Sequence, residues 1–257
     1  MEFGMPTLIE TETLKECAEL CKELGLQFIE LNMNLPQYQV GKINISEFLD
    51  IADKYDIYYT IHLDENLNPC DFNERVAAAY TETVLQTIEI AKQLAVSVLN
   101  MHISDGVYFT MPDRKAFLFE QYKEIFLEKL KHFRDICDDA ITDSNIKICI
   151  ENCGGYKEFQ RAGIDMLLQS KNFALTYDIG HGYCRNFPDE EFITERQNRL
   201  CHMHIHDGSN GKDHLALGTG EIDILKYLKL AKENHCRCVL ETKTIEGLKQ
   251  SVGLIRN

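Results

Sequence analysis

The chain has 257 residues, of which 44% are hydrophobic, and this length and apolar content can fill a sizeable core, which argues against disorder. The formal net charge of -14 at pH 7 repels nucleic acid and anionic membranes unless a local basic patch overrides it, and it leaves small polar substrates open. No apolar stretch approaches the ~20 residues of a membrane span and no secretory signal is evident, so a cytoplasmic protein is expected.

Short apolar runs alternate with stretches of helical period along the chain. The predicted strands cover residues 2–5, 26–32, 58–63, 96–103, 146–152, 173–178, 201–206 and 236–241. The predicted helices cover residues 11–25, 46–55, 74–95, about 113–139, 159–170, 189–197, 222–234 and 244–256. Strands separated by helices indicate right-handed crossovers and a parallel sheet. Eight such units predict an α/β fold of the closed (β/α)8 TIM barrel type, as a single domain over residues 1–257.

An open doubly wound sheet is the alternative fold. It is disfavoured because no glycine-rich dinucleotide-binding motif follows the first predicted strand. The ten cysteines are expected to be free and mostly buried, since the chain is far longer than the small secreted domains that need disulfides.

Alternation along the strands predicts which side chains point into the barrel. In residues 146–151 three isoleucines share one face, so Glu151 falls on the inward face. The same count directs five further side chains inward: Asp178, His202, His204, His206 and Glu241. It directs Cys201, Met203 and Ile205 outward. Because barrel active sites lie at the carboxyl ends of the strands, the inward polar groups are expected to meet at that mouth.

The inward carboxylates predict a metal site. Three carboxylates brought together would repel one another and raise their pKa values unless a cation neutralised them. The predicted ligands are Glu151, Asp178, His204 and Glu241, which supply three oxygen donors and one nitrogen. This set leaves positions for water or a substrate oxygen on a divalent ion. A single Glu or His at a strand end is more often a capping or solvated residue. Four of them in register on consecutive predicted strands favour a metal site.

Five motifs resemble those of the xylose isomerase-like barrel superfamily over nearly the whole chain. They are "IEN" at Glu151, "DIGH" from Asp178, "HIHD" from His204, "HLALGTGEID" from His214 and "LET" at Glu241. That superfamily contains sugar-phosphate isomerases and epimerases, ketose 3-epimerases, inosose dehydratases and endonuclease IV. In its epimerase branch the matching Glu, Asp, His and Glu bind one manganese, cobalt or magnesium ion, and the two glutamates exchange protons with substrate. The resemblance implies these roles for the four predicted ligands.

The implied activity is that of a divalent-metal-dependent sugar or sugar phosphate isomerase or epimerase. A metal-polarised carbonyl acidifies the adjacent C–H, and a carboxylate then removes the proton. Glu151 and Glu241 are the predicted catalytic bases, and on opposite faces of the substrate they would invert a centre. An inosose dehydratase-like lyase and a non-catalytic sugar-binding barrel remain alternatives. The expected cofactor is one divalent ion: manganese, cobalt, magnesium or zinc.

Four more histidines fall at strand ends or in loops of the same barrel face: His62, His102, His181 and His214. In a sugar enzyme they would bind or orient substrate hydroxyls. In endonuclease IV the matching histidines help hold three zinc ions, so a zinc-dependent AP endonuclease with up to three zinc ions is the alternative. The family has Asp-x-His before the "LG" turn, where this chain reads "KDHLALG". That departure and the acidic balance favour the one-metal enzyme.

Further residues have less specific expected roles. Glu30 has inward parity and is predicted either to contact substrate or to hold a neighbouring side chain. Lys212 lies in a polar loop after the seventh strand, where barrels often bind phosphate, and is predicted either to meet an anion or to belong to a solvated turn. Asp207 is predicted to brace His204. Residues 103–112 are long and aromatic enough to form a lid or pocket wall, and a homo-oligomer is an open alternative.

Overall fold

The computed structural model describes residues 1–256, and twelve strands lie within them. They are β1 (Glu2–Pro6), β2 (Phe28–Asn32), β3 (Tyr58–His62), β4 (Val98–His102), β5 (Tyr108–Thr110), β6 (Lys115–Phe117), β7 (Lys147–Glu151), β8 (Phe173–Asp178), β9 (Leu200–Ile205), β10 (Asp207–Ser209), β11 (Lys212–Leu215) and β12 (Arg237–Leu240). Eight of them pair in parallel and close into a barrel in the order β1-β12-β9-β8-β7-β4-β3-β2. The predicted (β/α)8 TIM barrel is confirmed, and each barrel strand overlaps a predicted one.

Helices follow the barrel strands. They are α1 (Leu14–Glu23), α2 (Ile45–Tyr55), α3 (Glu74–Gln93), α4 (Leu118–Gln121), α5 (Lys123–Ile141), α6 (Glu158–Leu167), α7 (Ile179–Cys184), α8 (Glu190–Thr194), α9 (Ile224–Glu233) and α10 (Ile245–Ile255). Several begin at a side chain that accepts a backbone N–H of the first turn: Thr13, Asn44, Asn73, Asp178, Asp223 and Thr244. Within residues 1–256, none of the helices has the length and apolar character needed to cross a bilayer.

The predicted helix over residues 113–139 begins too early. Strands β5 and β6 form an antiparallel hairpin there, and the helical segment starts at Leu118. The run from Tyr108 to Thr110 consists of residues that favour extended structure, and Pro112 lies in the turn that reverses the chain. This hairpin stands beside the mouth of the barrel because it directly follows β4.

A second hairpin, β10 with β11, lies after β9 and was expected to be a loop. Its turn residues Asn210 and Gly211 both have positive φ, 52° and 74°. These are the angles of a tight hairpin turn, for which Asn-Gly is a preferred pair. The hairpin places Asp213 and His214 of β11 near α7, which follows β8.

The main hydrophobic core lies between the barrel and its helices. Outward residues of the strands fill it, including Ile148, Leu175, Met203 and Leu240, each 0% exposed. Their parity is therefore confirmed. Seven of the ten cysteines are buried, also as predicted.

Cys201 departs from the predicted parity. A bulge between β8 and β9 pairs Leu175 with Leu200 but Thr176 with His202, so one extra residue is inserted in β9. Cys201 packs with a small cluster that contains Cys149, and the two sulfur atoms are 3.1 Å apart. The outward prediction for Cys201 is wrong because simple alternation does not survive a bulge.

Candidate active site

The carboxyl ends of β7, β8, β9 and β12 bring four of the predicted residues together. Glu151, Asp178, His204 and Glu241, here called the quartet, each offer one ligand atom, and these atoms lie within 4.8 Å of one another. All four side chains are buried, with Glu241 the most exposed residue at 7%. Parallel strands that carry a polar residue at the same inward position produce this convergence.

His204 Nδ1 faces all three carboxylates of the quartet. It lies 2.9 Å from Glu241 Oε2, 3.3 Å from Glu151 Oε1 and 3.7 Å from Asp178 Oδ2. None of the atoms Glu151 Oε1, Glu241 Oε2 and His204 Nδ1 makes a hydrogen bond. Buried polar atoms normally have partners, so these three fit a ligand that accepts lone pairs from all of them. Three carboxylates and one imidazole suit manganese, cobalt, magnesium or zinc.

The charges of the quartet compensate one another. Burial alone would raise the pKa values of Glu151 and Glu241, but the facing imidazole of His204 holds both well below their usual range. Burial likewise opposes protonation of His204, and Glu151 and Glu241 together raise its pKa well above the ordinary value. Both glutamates are therefore ionised, which is the form that binds a cation and accepts a proton.

Asp178 is held by three neighbours. Its Oδ1 accepts the backbone N–H of His181 at 2.6 Å, as the N-cap of α7, and Nε2 of His206 lies 3.0 Å from Oδ2. Since His206 Nδ1 accepts the N–H of His214 at 2.8 Å, Nε2 carries the hydrogen that His206 donates to Asp178. Asn152 exchanges two hydrogen bonds with the backbone of Asp178. His206 was predicted to point inward but was given no role, and Asn152 was not predicted, although both lie within the quoted motifs.

Gly180 is required by the close approach of α7 to His206. A Cβ atom at position 180 would lie 1.9 Å from His206 Cε1 and 2.1 Å from Nδ1. We expect Gly180→Ala to displace the imidazole, because overpacking typically costs about 1–3 kcal/mol. Thermal melting and metal titration should show a melting temperature lower by several degrees and weaker metal binding. Gly41→Ala is the control, since its Cβ meets nothing within 4 Å, and equal behaviour of the two variants would contradict the assignment.

Two predicted histidines lie on the Glu151 side of the quartet. His62 Nε2 and His102 Nε2 are 3.4 Å and 3.2 Å from Glu151 Oε2, to which Asn100 also donates. Burial alone would lower the pKa of His62, but Glu151 outweighs it and raises that pKa to about 9. The side chain of His102 is 17% exposed, so it can reach a ligand at the mouth.

The other two predicted histidines lie on the opposite side. His181 Nδ1 is 3.5 Å from both Glu151 Oε1 and Asp178 Oδ2, and His214 Nε2 is 3.6 Å from Glu241 Oε1. Asp213 lies between them, with oxygens 3.8 Å from His181 Nε2 and 2.9 Å from His214 Nδ1. The partly exposed imidazoles thus border the quartet on two sides.

Lys212 and Glu30 lie elsewhere. Lys212 is exposed on β11, and within residues 1–256 no hydrogen bond or ion pair joins its side chain to the quartet. Glu30 is 2% exposed and contacts His204 on the ring edge away from the carboxylates. The cation that does reach the quartet is Lys243, whose Nζ is 2.7 Å from Glu241 Oε1. Lys243 was not predicted, although it stands two residues after Glu241.

Asp207 does not brace His204. Its carboxylate accepts four backbone N–H groups, from Gly208, Gly218, Gly220 and Ile222, at 2.8–3.1 Å. It therefore fixes the loop that runs from β10 to α9. The prediction that Asp207 contacts His204 was wrong, because the glycine-rich stretch after Asp207 supplies backbone N–H donors to its carboxylate.

A cavity of about 300 Å³ opens beside the quartet. Its wall includes Glu151 and His102 together with polar residues of the surrounding loops: Glu65, Asn66, Ser104, Asp105 and Gln160. This volume lies at the lower end of the range for small-ligand sites. Residues 103–105 line it, so the predicted pocket wall is present, while the rest of that segment forms the first hairpin.

Comparison with known sequences places the chain among barrels of one type. A profile of the xylose isomerase-like TIM barrel family matches residues 18–257. The uncharacterized protein MJ1311 of Methanocaldococcus jannaschii is 30% identical over 247 residues, which cover 91% of this chain and 80% of that protein.

Solved structures agree with the fold. A D-tagatose 3-epimerase-like protein matches with a TM-score of 0.81 and 26% identity, over 100% of this chain and 96% of that one. The IolI protein, solved with a bound zinc atom, matches with a TM-score of 0.71 and 18% identity, over 98% of this chain and 92% of its own. At 18% identity, the match to the IolI protein shows a shared fold alone.

Proposed function

The chain belongs to the xylose isomerase-like TIM barrel family, and from that membership we propose that it is a divalent-metal-dependent sugar or sugar phosphate isomerase or epimerase. The quartet carries the proposal, because its four buried ligand atoms lie within 4.8 Å and include two glutamates. A protein that only binds sugar has no need of two bases beside a metal site. The likeness to the D-tagatose 3-epimerase-like protein supports the same class of reaction.

Glu151 and Glu241 are proposed as both ligands and bases. When bound, a manganese, cobalt, magnesium or zinc ion supplies the Lewis acidity that acidifies a C–H next to a carbonyl. One glutamate accepts that proton, and the other returns a proton on the opposite face, which inverts the carbon centre. Return of the proton to the neighbouring carbon instead would give an aldose–ketose isomerisation.

The side chains around the quartet are proposed to orient the substrate. His102, His181 and His214 are each 17–18% exposed at their side chains, so they present ring nitrogens to hydroxyl groups at the mouth. His62 is buried behind them and supports Glu151. Lys243, which contacts Glu241, is proposed to bind an anionic group of the substrate, and Lys212 on the β10–β11 hairpin is a second candidate.

A zinc-dependent AP endonuclease is the second candidate. Two further groups of possible ligands favour it: His62, His102 and Glu151, and His181, His206 and His214, each with ligand atoms within 4.8 Å. Both ring nitrogens of His206 are already engaged, with Asp178 and with the backbone of His214. A third ion at His206 would have to displace one of these contacts, which supports a site with fewer than three ions.

We expect purified protein to carry about one divalent ion per chain, because the quartet forms one complete ligand set. Elemental analysis after gentle purification gives the count. Added manganese, cobalt or zinc should raise the melting temperature of metal-free protein, since a ligand of the folded state stabilises it. Three zinc ions per chain would favour the nuclease. A protein that carries no metal and whose melting temperature does not rise with added metal would contradict the proposal.

The reaction itself is tested with a substrate screen. Free and phosphorylated ketoses, inososes and abasic DNA are each incubated with the protein and manganese, cobalt, magnesium or zinc. Deuterium incorporation from heavy water into a sugar reports proton abstraction even where little product accumulates. Exchange or conversion of a sugar supports the proposal, whereas cleavage of abasic DNA with no reaction of any sugar would replace it.

A further inference from the structure

Glu30 lies in a buried layer beneath the quartet. Its Oε2 is 2.8 Å from His202 Nε2 and accepts the hydroxyl hydrogen of Thr60 at 2.9 Å. Its Oε1 is 2.8 Å from His204 Nε2, in a short contact that is bent away from the ring N–H direction. One carboxylate from β2 thus joins two imidazoles of β9.

The contact with Glu30 indicates which nitrogen of His204 carries the hydrogen. At 2.8 Å an unprotonated Nε2 would place its lone pair against the carboxylate oxygen, and the two would repel, so the contact favours a hydrogen on Nε2 even though it is bent. In the neutral ring this leaves the lone pair on Nδ1, which is the atom that faces Glu151, Asp178 and Glu241. The tautomer of His204 with its hydrogen on Nε2 is therefore the one that can bind a cation in the quartet.

We propose that Glu30 is a positioning residue that holds His204 in the metal-binding tautomer and ring orientation, supported by His202 and Thr60. The inference rests on the proposed metal-dependent function. It replaces a substrate-contacting role for Glu30, which is 2% exposed and absent from the wall of the cavity beside Glu151. Partners of metal-bound histidines commonly fix the ring in this way.

The test is the isosteric change Glu30→Gln, with manganese or zinc alone as the probe. A glutamine has one oxygen and one amino group, so it cannot present an oxygen to both His202 and His204. One of the two rings must then change tautomer or turn. Competition with a chelator should show metal affinity about 10- to 100-fold lower than in the wild type.

Two further variants separate positioning from general stability. Thr60→Val removes one hydrogen bond to Glu30 and should weaken metal binding in the same direction by a smaller factor. Glu190→Gln is the matched control, because Glu190 also accepts from three side chains, Tyr177, Tyr227 and Lys226, but contacts no quartet residue. It should leave metal affinity unchanged even if it lowers the melting temperature.

A spectroscopic measurement reports the tautomer directly. In zinc-loaded wild type with ¹⁵N-labelled histidine, His204 should show a hydrogen on Nε2 and a metal-bound Nδ1, and Glu30→Gln should lose or broaden that Nε2–H signal. Metal affinity of Glu30→Gln within twofold of wild type would overturn the inference alone. If that variant fails to fold, unchanged affinity in Thr60→Val overturns it. A wild type with no metal affinity would overturn the proposed function as well.

Discussion

Replacement of either Glu151 or Glu241 by glutamine is expected to lower turnover by about 10²-fold to 10⁴-fold, the usual effect of losing a general base. Glutamine keeps the size of the side chain and one oxygen donor but is not a base, so proton transfer is lost even where the metal stays bound. Glu151 stays anchored by Asn100 and Glu241 by Lys243, which limits movement of the altered side chain. An epimerase that uses one base on each face should lose activity in both variants.

Metal loss could imitate that result, so the comparison is made at saturating metal with occupancy measured. A substrate with deuterium at the carbon next to the carbonyl reports proton abstraction. Each glutamine variant should bind substrate but exchange the label with solvent far more slowly than wild type. Glu190→Gln is again the control. Turnover within a few-fold of wild type in a fully metallated variant would remove that glutamate from the mechanism.

The positions of the quartet were predictable because they depend only on strand parity and strand ends. Glu151, Asp178 and Glu241 each end or directly follow an apolar run, and closure of a parallel barrel brings such ends to one mouth. The prediction needed no knowledge of register between strands. Cys201 marks the limit of this reasoning, because the bulge that turns it inward arises from the pairing of β9 with β8.

The two hairpins were missed for different reasons. Asn210 and Gly211 form a turn pair that sequence can signal, but the flanking residues are polar and lack the apolar alternation of a strand. In the first hairpin, the charged residues after Pro112 fit a helical period as well as a strand. Strands of three or four residues contribute too few side chains for periodicity to identify them.

The side-chain partners in the site could not be ranked from sequence. Glu30 and His202 are 172 residues apart, and parity states only that both point inward. Their contact follows from the order in which the barrel closes, with β1 and β12 lying between β2 and β9. Asp207 was assigned to His204 because metal-bound histidines usually have such a partner, whereas the four donors to its carboxylate are backbone N–H groups of the glycine-rich loop.

Asp178→Asn is expected to weaken metal binding by more than about 100-fold, because it removes a charged ligand. Mutation of a residue that only supports a metal ligand typically costs about 10- to 100-fold in metal affinity. The fold should survive, since asparagine is also a favourable N-cap and can accept the N–H of His181. The amide cannot serve the rest of the site. With its oxygen at the cap, its amino group would meet the N–H of His206, which is an unfavourable contact between two donors, and it would offer the ion no lone pair.

His204→Ala provides an independent version of the same experiment, because it removes the single nitrogen donor and leaves all three carboxylates in place. Both variants should keep the circular dichroism spectrum of the wild type, as the main core lies on the outward faces of the strands. Both should also lose the rise in melting temperature that manganese, cobalt or zinc gives the wild type. Without His204 the three buried carboxylates repel one another, so metal-free His204→Ala should be less stable than metal-free Asp178→Asn. Wild-type metal affinity in both folded variants would show that the ion binds elsewhere, and the proposed roles of Glu151 and Glu241 would fall with it.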